Sequence, residues 1–74
     1  MPAELSPRQR AVAALIACAK TDKQIAAELG VSPRTVRVHV ESLAYLLRLD
    51  VSRNVRIQIA LWWRERHHVT RAAS

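Results

Sequence analysis

Glycine, cysteine and aromatic residues are nearly absent from this chain: 74 residues hold one Gly, one Cys, no Phe, one Tyr and two Trp. A single glycine rules out the glycine-rich loop with which nucleotide-binding enzymes cradle phosphate. The lone Cys18 excludes an intrachain disulfide and a cysteine zinc site, and it suits a reducing, cytoplasmic setting. Long apolar runs are missing too. None approaches the roughly 20 residues of a membrane span, and Met1-Pro2-Ala3-Glu4 lacks the basic and apolar stretches of a signal peptide. Acids are scarce, six Asp+Glu against twelve Lys+Arg, with no close pair placed for acid/base work. A chain this short rarely gains more than roughly 3–5 kcal/mol from one core and cannot also enclose a deep catalytic pocket. The expectation is a single non-enzymatic domain over residues 1–74, with its core about 5–67, a frayed tail from 68 to 74, and no cofactor, metal or small-molecule ligand.

What is present is small, aliphatic and basic. Twelve Ala, eight Val, eight Leu and four Ile suit close packing between helices. The net charge is +6, and ten of the twelve cations are Arg. The planar guanidinium fork matches phosphate oxygens and guanine edges, so nucleic acid is the first partner to consider. A plain solvated basic surface would have the same composition.

Helix starts are written into the chain three times. Ser6-Pro7-Arg8-Gln9 sets a Ser cap, a Pro at the first helical position and a Gln able to bond back to the cap. The stripe Val12, Leu15, Ile16 and Ala19 follows at helical spacing. Thr21-Asp22-Lys23-Gln24 repeats the capping box, with Ile25, Ala26 and Leu29 pointing inward, and Gly30 stops that helix. Ser32-Pro33-Arg34-Thr35 starts the third, about 33–47, after a gap of three or four residues. Its inner stripe is Val36, Val40, Leu43 and Leu47. Its opposite face carries Arg34, Arg37, Val38, Glu41, Ser42 and Tyr45. A loop over Leu49 to Asn54 precedes a fourth helix, about 55–67, capped by Ser52 or Asn54. That helix is apolar on two sides, Val55, Ile59, Trp62 and Trp63 on one, Ile57, Ala60 and Leu61 on the other. The fold class predicted is all-α, four helices around a central helix-turn-helix that spans about Thr21 to Leu47.

A short helix, a Gly turn and a second helix with an Arg-rich start can place that second helix in the roughly 12 Å major groove of DNA. Arg37 can fork onto guanine, Val38 can touch a thymine methyl, and Arg34 and Thr35 lie where phosphates pass. One apolar face of the fourth helix can serve the chain's own core; the second needs a partner or stays exposed. A homodimer through Ile57, Ala60, Leu61, Trp63 and Arg64 supplies one. The alternative is a small interaction module that binds a component of the transcription machinery through Ile57, Leu61 and Trp63, with weak or no DNA binding. His39, His67 and His68 make no convincing metal set, because adjacent helical histidines point about 100° apart and no carboxylate or Cys completes it. Cys18 is expected as a small core or half-buried residue.

The segments Leu5-Ser6-Pro7-Arg8-Gln9-Arg10, Asp22-Lys23-Gln24-Ile25-Ala26, Leu29-Gly30-Val31-Ser32 and Thr35-Val36-Arg37-Val38-His39-Val40 together resemble the LuxR/GerE-type DNA-binding domain over residues 5 to about 66. Sigma-factor region 4 shares the opening and the second helix; the Val-His-Val run and the complete fourth helix favour LuxR/GerE. The resemblance implies a regulator of transcription whose third helix enters the major groove and whose fourth commonly mediates dimerisation. By position it assigns base reading to Arg37 and Val38, backbone proximity to Thr35 and His39, and phosphate contact to Lys23. Thr21, Glu41, Arg53 and Arg56 complete the expected DNA-facing set; Glu41, an acid where many members have Ser or Lys, could accept from cytosine N4 or simply repel phosphate, and Arg53 and Arg56 flank the start of the fourth helix where they could reach adjacent phosphates. The sequence departs from the family pattern at Ala19 and Arg48, where members usually have glycine, and in a loop before Val55 about two residues longer than most. Members usually carry this module behind a receiver or small-molecule domain, so a chain with Met1 five residues before the first helix reads as either a stand-alone protein or an excised fragment.

Overall fold

A computed structural model describes residues 5–67; His68 and the tail expected from 68 to 74 lie outside them. Four α-helices follow in order: α1 Pro7–Ala17, α2 Asp22–Leu29, α3 Pro33–Leu46 and α4 Val55–His67. The described residues contain no strand. The all-α expectation is therefore met.

Local chemistry explains the starts. Ser6 Oγ accepts from the Gln9 amide at 3.1 Å while Gln9 Oε1 accepts from the Ser6 amide at 2.9 Å, a complete capping box. Thr21 and Gln24 repeat it with the same two distances. At α3, Ser32 Oγ accepts from the Thr35 amide and also lies 3.1 Å from the Thr35 hydroxyl. Asn54, rather than Ser52, caps α4, its Oδ1 accepting from the Ile57 amide at 3.2 Å. Ser52 instead donates to Asp50, whose carboxyl is held below its ordinary range by that hydroxyl and then by the Ser52 amide. Gln58 ties the same loop to α4 by accepting from the Asp50 amide and donating to its carbonyl.

The first three helices end alike. Amides of Lys20, Val31 and Leu49 reach back five residues to the carbonyls of Leu15, Ala26 and Ala44, which requires a left-handed residue one position earlier. Those residues are Ala19 at φ 63°, Gly30 at φ 70° and Arg48 at φ 56°. Only the second is glycine, so Ala19 and Arg48 carry the Cβ penalty of that conformation. Ala19 consequently leaves the stripe expected of α1 and is exposed, since the helix closes at Ala17. Cys18, expected inside or half-buried, is the C-cap of α1 and exposed for the same reason.

The core is made of short aliphatic chains from every helix: Val12, Ala13 and Ile16, Ile25 and Ala26, Val36 and Leu43, and Ile59. The inner stripes of α2 and α3 fall where their periodicity puts them. α4 differs from expectation. Val55, Ala60 and Trp63 pack against the core beside Ile59, so Ala60 and Trp63, assigned to a partner surface, turn inward. At about 100° per residue, Trp63 and Ala60 both lie within about 100° of Ile59, on one arc. Trp62 is half-buried outside that cluster with the Arg66 guanidinium 5.0 Å above its ring.

Candidate functional site

α2 and α3 pack together through the three-residue turn Gly30-Val31-Ser32, and α1 packs most extensively on α4. This leaves one long face of α3 uncovered. Arg34, Arg37, Val38 and Glu41 are exposed there, and Tyr45, one turn further, is 82% exposed. Val38 is an apolar side chain 54% exposed between two arginines' turns and an acid's. Arg34 and Arg37 make no hydrogen bond or ion pair to any described residue, so their donors are open to an outside acceptor. Ser32, Pro33 and the first amides of α3 add the positive end of the helix dipole to the same end.

The remaining DNA-facing expectations divide. Lys23 is exposed on the first turn of α2 and Arg53 is exposed in the α3–α4 loop. His39 is half-buried, at the border between the outer face and the core. The half-buried Thr35 has its hydroxyl and amide engaged by Ser32, and Thr21 is committed to the capping box of α2. Thr21 lines a groove with Ile57 and Leu61 of α4, away from the α3 face. Arg56 departs most from expectation: its guanidinium is directed at Asp22 and the Lys20 carbonyl rather than outward. The helical period carried a signal for this, because position 56 lies within about 60° of both Ile59 and Ala60 on the buried arc of α4.

α4 presents a second surface. Ile57 is 56% and Leu61 60% exposed, and Arg64 is exposed beside them. Tyr45, on α3, is the exposed residue that the list of expected contacts missed; its place one turn beyond Glu41 on the outer face was the available signal. No helix among the described residues is long and apolar enough to cross a membrane. No group of three or more metal-ligating side chains occurs among them.

The family model for bacterial regulatory proteins of the luxR family, GerE, matches residues 3–59. The match covers α1, α2, α3, the Gly30 turn and the first turn of α4. A two-component response regulator of Pseudomonas aeruginosa, PprB, is 41% identical over 58 residues, which are 78% of this chain and 20% of that protein. This chain thus spans about a fifth of that curated relative. No solved structure matches it. With an exposed arginine face on the second helix of a capped helix-turn-helix, and a family match over most of its length, the chain belongs to the luxR family of bacterial regulatory proteins, as a DNA-binding helix-turn-helix domain of transcription regulation.

Proposed function

We propose that this domain reads a specific double-stranded DNA site with α3 in the major groove, and that two copies associate through α4. The observation that carries the reading is the outer face of α3: two arginines with no internal partner, beside an exposed valine, on a helix whose other side is sealed into the core. Arg37 forks onto the O6 and N7 edge of a guanine, and Val38 packs on a thymine methyl in the next step. Glu41, a turn further along, accepts from a cytosine amino group. Arg34 and Lys23, on the first turns of α3 and α2, neutralise phosphates, and Arg53 does so from the loop. Thr21, in its capping box, and Thr35, held by Ser32, act mainly through local backbone structure, and His39 sits half-buried at the border of the outer face and the core. Likeness to a response regulator supports control of transcription as the outcome.

The dimer rests on Ile57 and Leu61, which leave an apolar ridge in water, with Arg64 beside them. Arg64 and Leu61 lie beyond the matched family segment, so this part of the reading stands on the structure alone. Covering such a ridge gains about 25 cal/mol for each Å² of apolar surface removed from water. A two-fold pair would face the duplex with two α3 helices about one helical turn, roughly 34 Å, apart.

Selection of bound duplexes from a random library tests both parts. A recovered motif with two inverted half-sites at that spacing is expected. Failure of the folded protein to shift any duplex at micromolar concentration overturns the DNA reading, and a single unrepeated half-site overturns the dimer.

A further inference from the structure

Arg56 starts on α4, the helix assigned to self-association, yet its guanidinium ends at the other side of the domain. Nη1 donates to Asp22 Oδ1 and Nη2 to the backbone carbonyl of Lys20. These acceptors lie 34 and 36 residues away in sequence. They also bracket Thr21, the cap of α2, so one side chain grips the residue before the cap and the residue after it. Asp22 sits on the first turn of α2, where the helix dipole already favours a carboxylate. Both partners are about two-thirds shielded, with 35% of Arg56 and 33% of Asp22 exposed. Lys20 follows the left-handed Ala19, so the gripped carbonyl belongs to the sharp corner at which the chain leaves α1 for α2. A guanidinium fork can hold two acceptors of different chemistry at a fixed angle, whereas an ammonium is a point charge without that geometry.

From this arrangement we infer that Arg56 is a positioning residue for DNA binding: it sets the start of α2, and with it Lys23 and the turn into α3, and it does not itself touch phosphate. The inference rests on the DNA reading above. Four other cations, Lys23, Arg34, Arg37 and Arg53, are exposed and without internal partners, while two nitrogens of Arg56 are already engaged. These two bonds hold the Arg56 guanidinium at the corner, so a phosphate would have to reach its remaining N–H donors there or displace Asp22.

The two roles give opposite signs for one substitution. If Arg56 met phosphate, Asp22→Asn would release it and remove a negative charge near the duplex, so affinity would rise. As a positioning residue it loses its partner instead, and affinity falls. The test uses the full chain and a duplex selected from the random library, at a temperature where circular dichroism shows each variant folded. Asp22→Asn and Arg56→Met are each expected to weaken binding roughly three- to tenfold, with the double variant no weaker than the worse single, as for two members of one hydrogen-bonded network. The slope of log affinity against log salt should stay at the wild-type value, because no phosphate contact is lost; a lost phosphate contact lowers it by about one. A slope reduced by about one in Arg56→Met, or tighter binding by Asp22→Asn, overturns the inference in favour of a phosphate contact. Unchanged affinity with a lowered melting temperature overturns it in favour of a purely structural pair. Should Arg56→Met not fold, Asp22→Asn and Arg56→Lys carry the test, since the Thr21 capping box survives in both. Absence of binding by the wild-type protein defeats the DNA reading itself, whereas normal wild-type binding with any contrary variant result defeats only this inference.

Discussion

α3 and α4 are neighbouring helices of nearly equal length, 14 and 13 residues, with outer faces of opposite character. Along α3 the exposed positions run from the cations Arg34 and Arg37 through Val38 to Glu41 and Tyr45; along α4 Ile57 and Leu61 are the exposed hydrophobics, with charges gathered towards its end. The first face is comfortable in water and gains by meeting a polyanion. The second costs free energy while it stays wet and gains by meeting another apolar surface. The unpartnered cations Arg34 and Arg37 stand on α3 and the aliphatic pair Ile57 and Leu61 on α4, so DNA binding and the proposed self-association should obey different variables.

Salt should separate them most sharply. Raising it fourfold is expected to weaken the binding of one domain to its half-site about fortyfold, if Lys23, Arg34 and Arg53 each meet one phosphate. Self-association should hardly change. Fluorescence anisotropy of a labelled duplex and light scattering, run over the same salt series, check this; parallel loss of both would collapse the distinction between the faces. Next in size, Arg37→Ala should cost the selected site about 1–3 kcal/mol and relax preference at one base pair, with the mass of the free protein unchanged. Leu61→Glu should act the other way round. It should weaken self-association at least about tenfold, as removal of a central interface anchor does. The species seen by light scattering then approaches 8.4 kDa, and binding to an isolated half-site persists. Smallest is a change that should touch neither face. Ala19→Gly relieves the left-handed strain at the end of α1 and should add about 0.5–1 kcal/mol to stability after the entropy of a freer unfolded chain is subtracted. Gly30→Ala should lower stability by a similar amount. Thermal melts measure both, and unchanged DNA affinity in Ala19→Gly would show that the faces are insensitive to stability alone.

Much of the fold was readable because helix starts are local events. A Ser or Thr hydroxyl, a Pro and a Gln three residues on satisfy the same few amides wherever they occur, and the starts of α1, α2 and α3 followed from Ser6, Thr21 and Ser32. Gly30 marked an end because glycine advertises a left-handed backbone. Ala19 and Arg48 adopt that backbone without advertising it; only departure from a family pattern drew attention to them. The outer face of α3 was readable from period and charge, since its inner stripe left no choice about what faced out. α4 was harder. With apolar residues around most of its circumference, its rotation is decided by how α1 receives it, which is a tertiary matter, and Ala60, Trp63 and Arg56 turned inward accordingly. The expectation for Cys18 failed through the length of α1, because a helix closing two residues sooner moves its last residues from core to solvent.

The placement of the aromatic residues has a practical corollary. Both tryptophans lie on α4, where Trp63 is packed on the core and stacked with the His67 ring at 3.9 Å, and the one tyrosine lies on the open face of α3. Intrinsic tryptophan emission therefore comes wholly from α4 and tyrosine emission wholly from α3. Excitation at the red edge of the absorption band reaches the tryptophans alone, so events at α4 can be followed without attaching a dye.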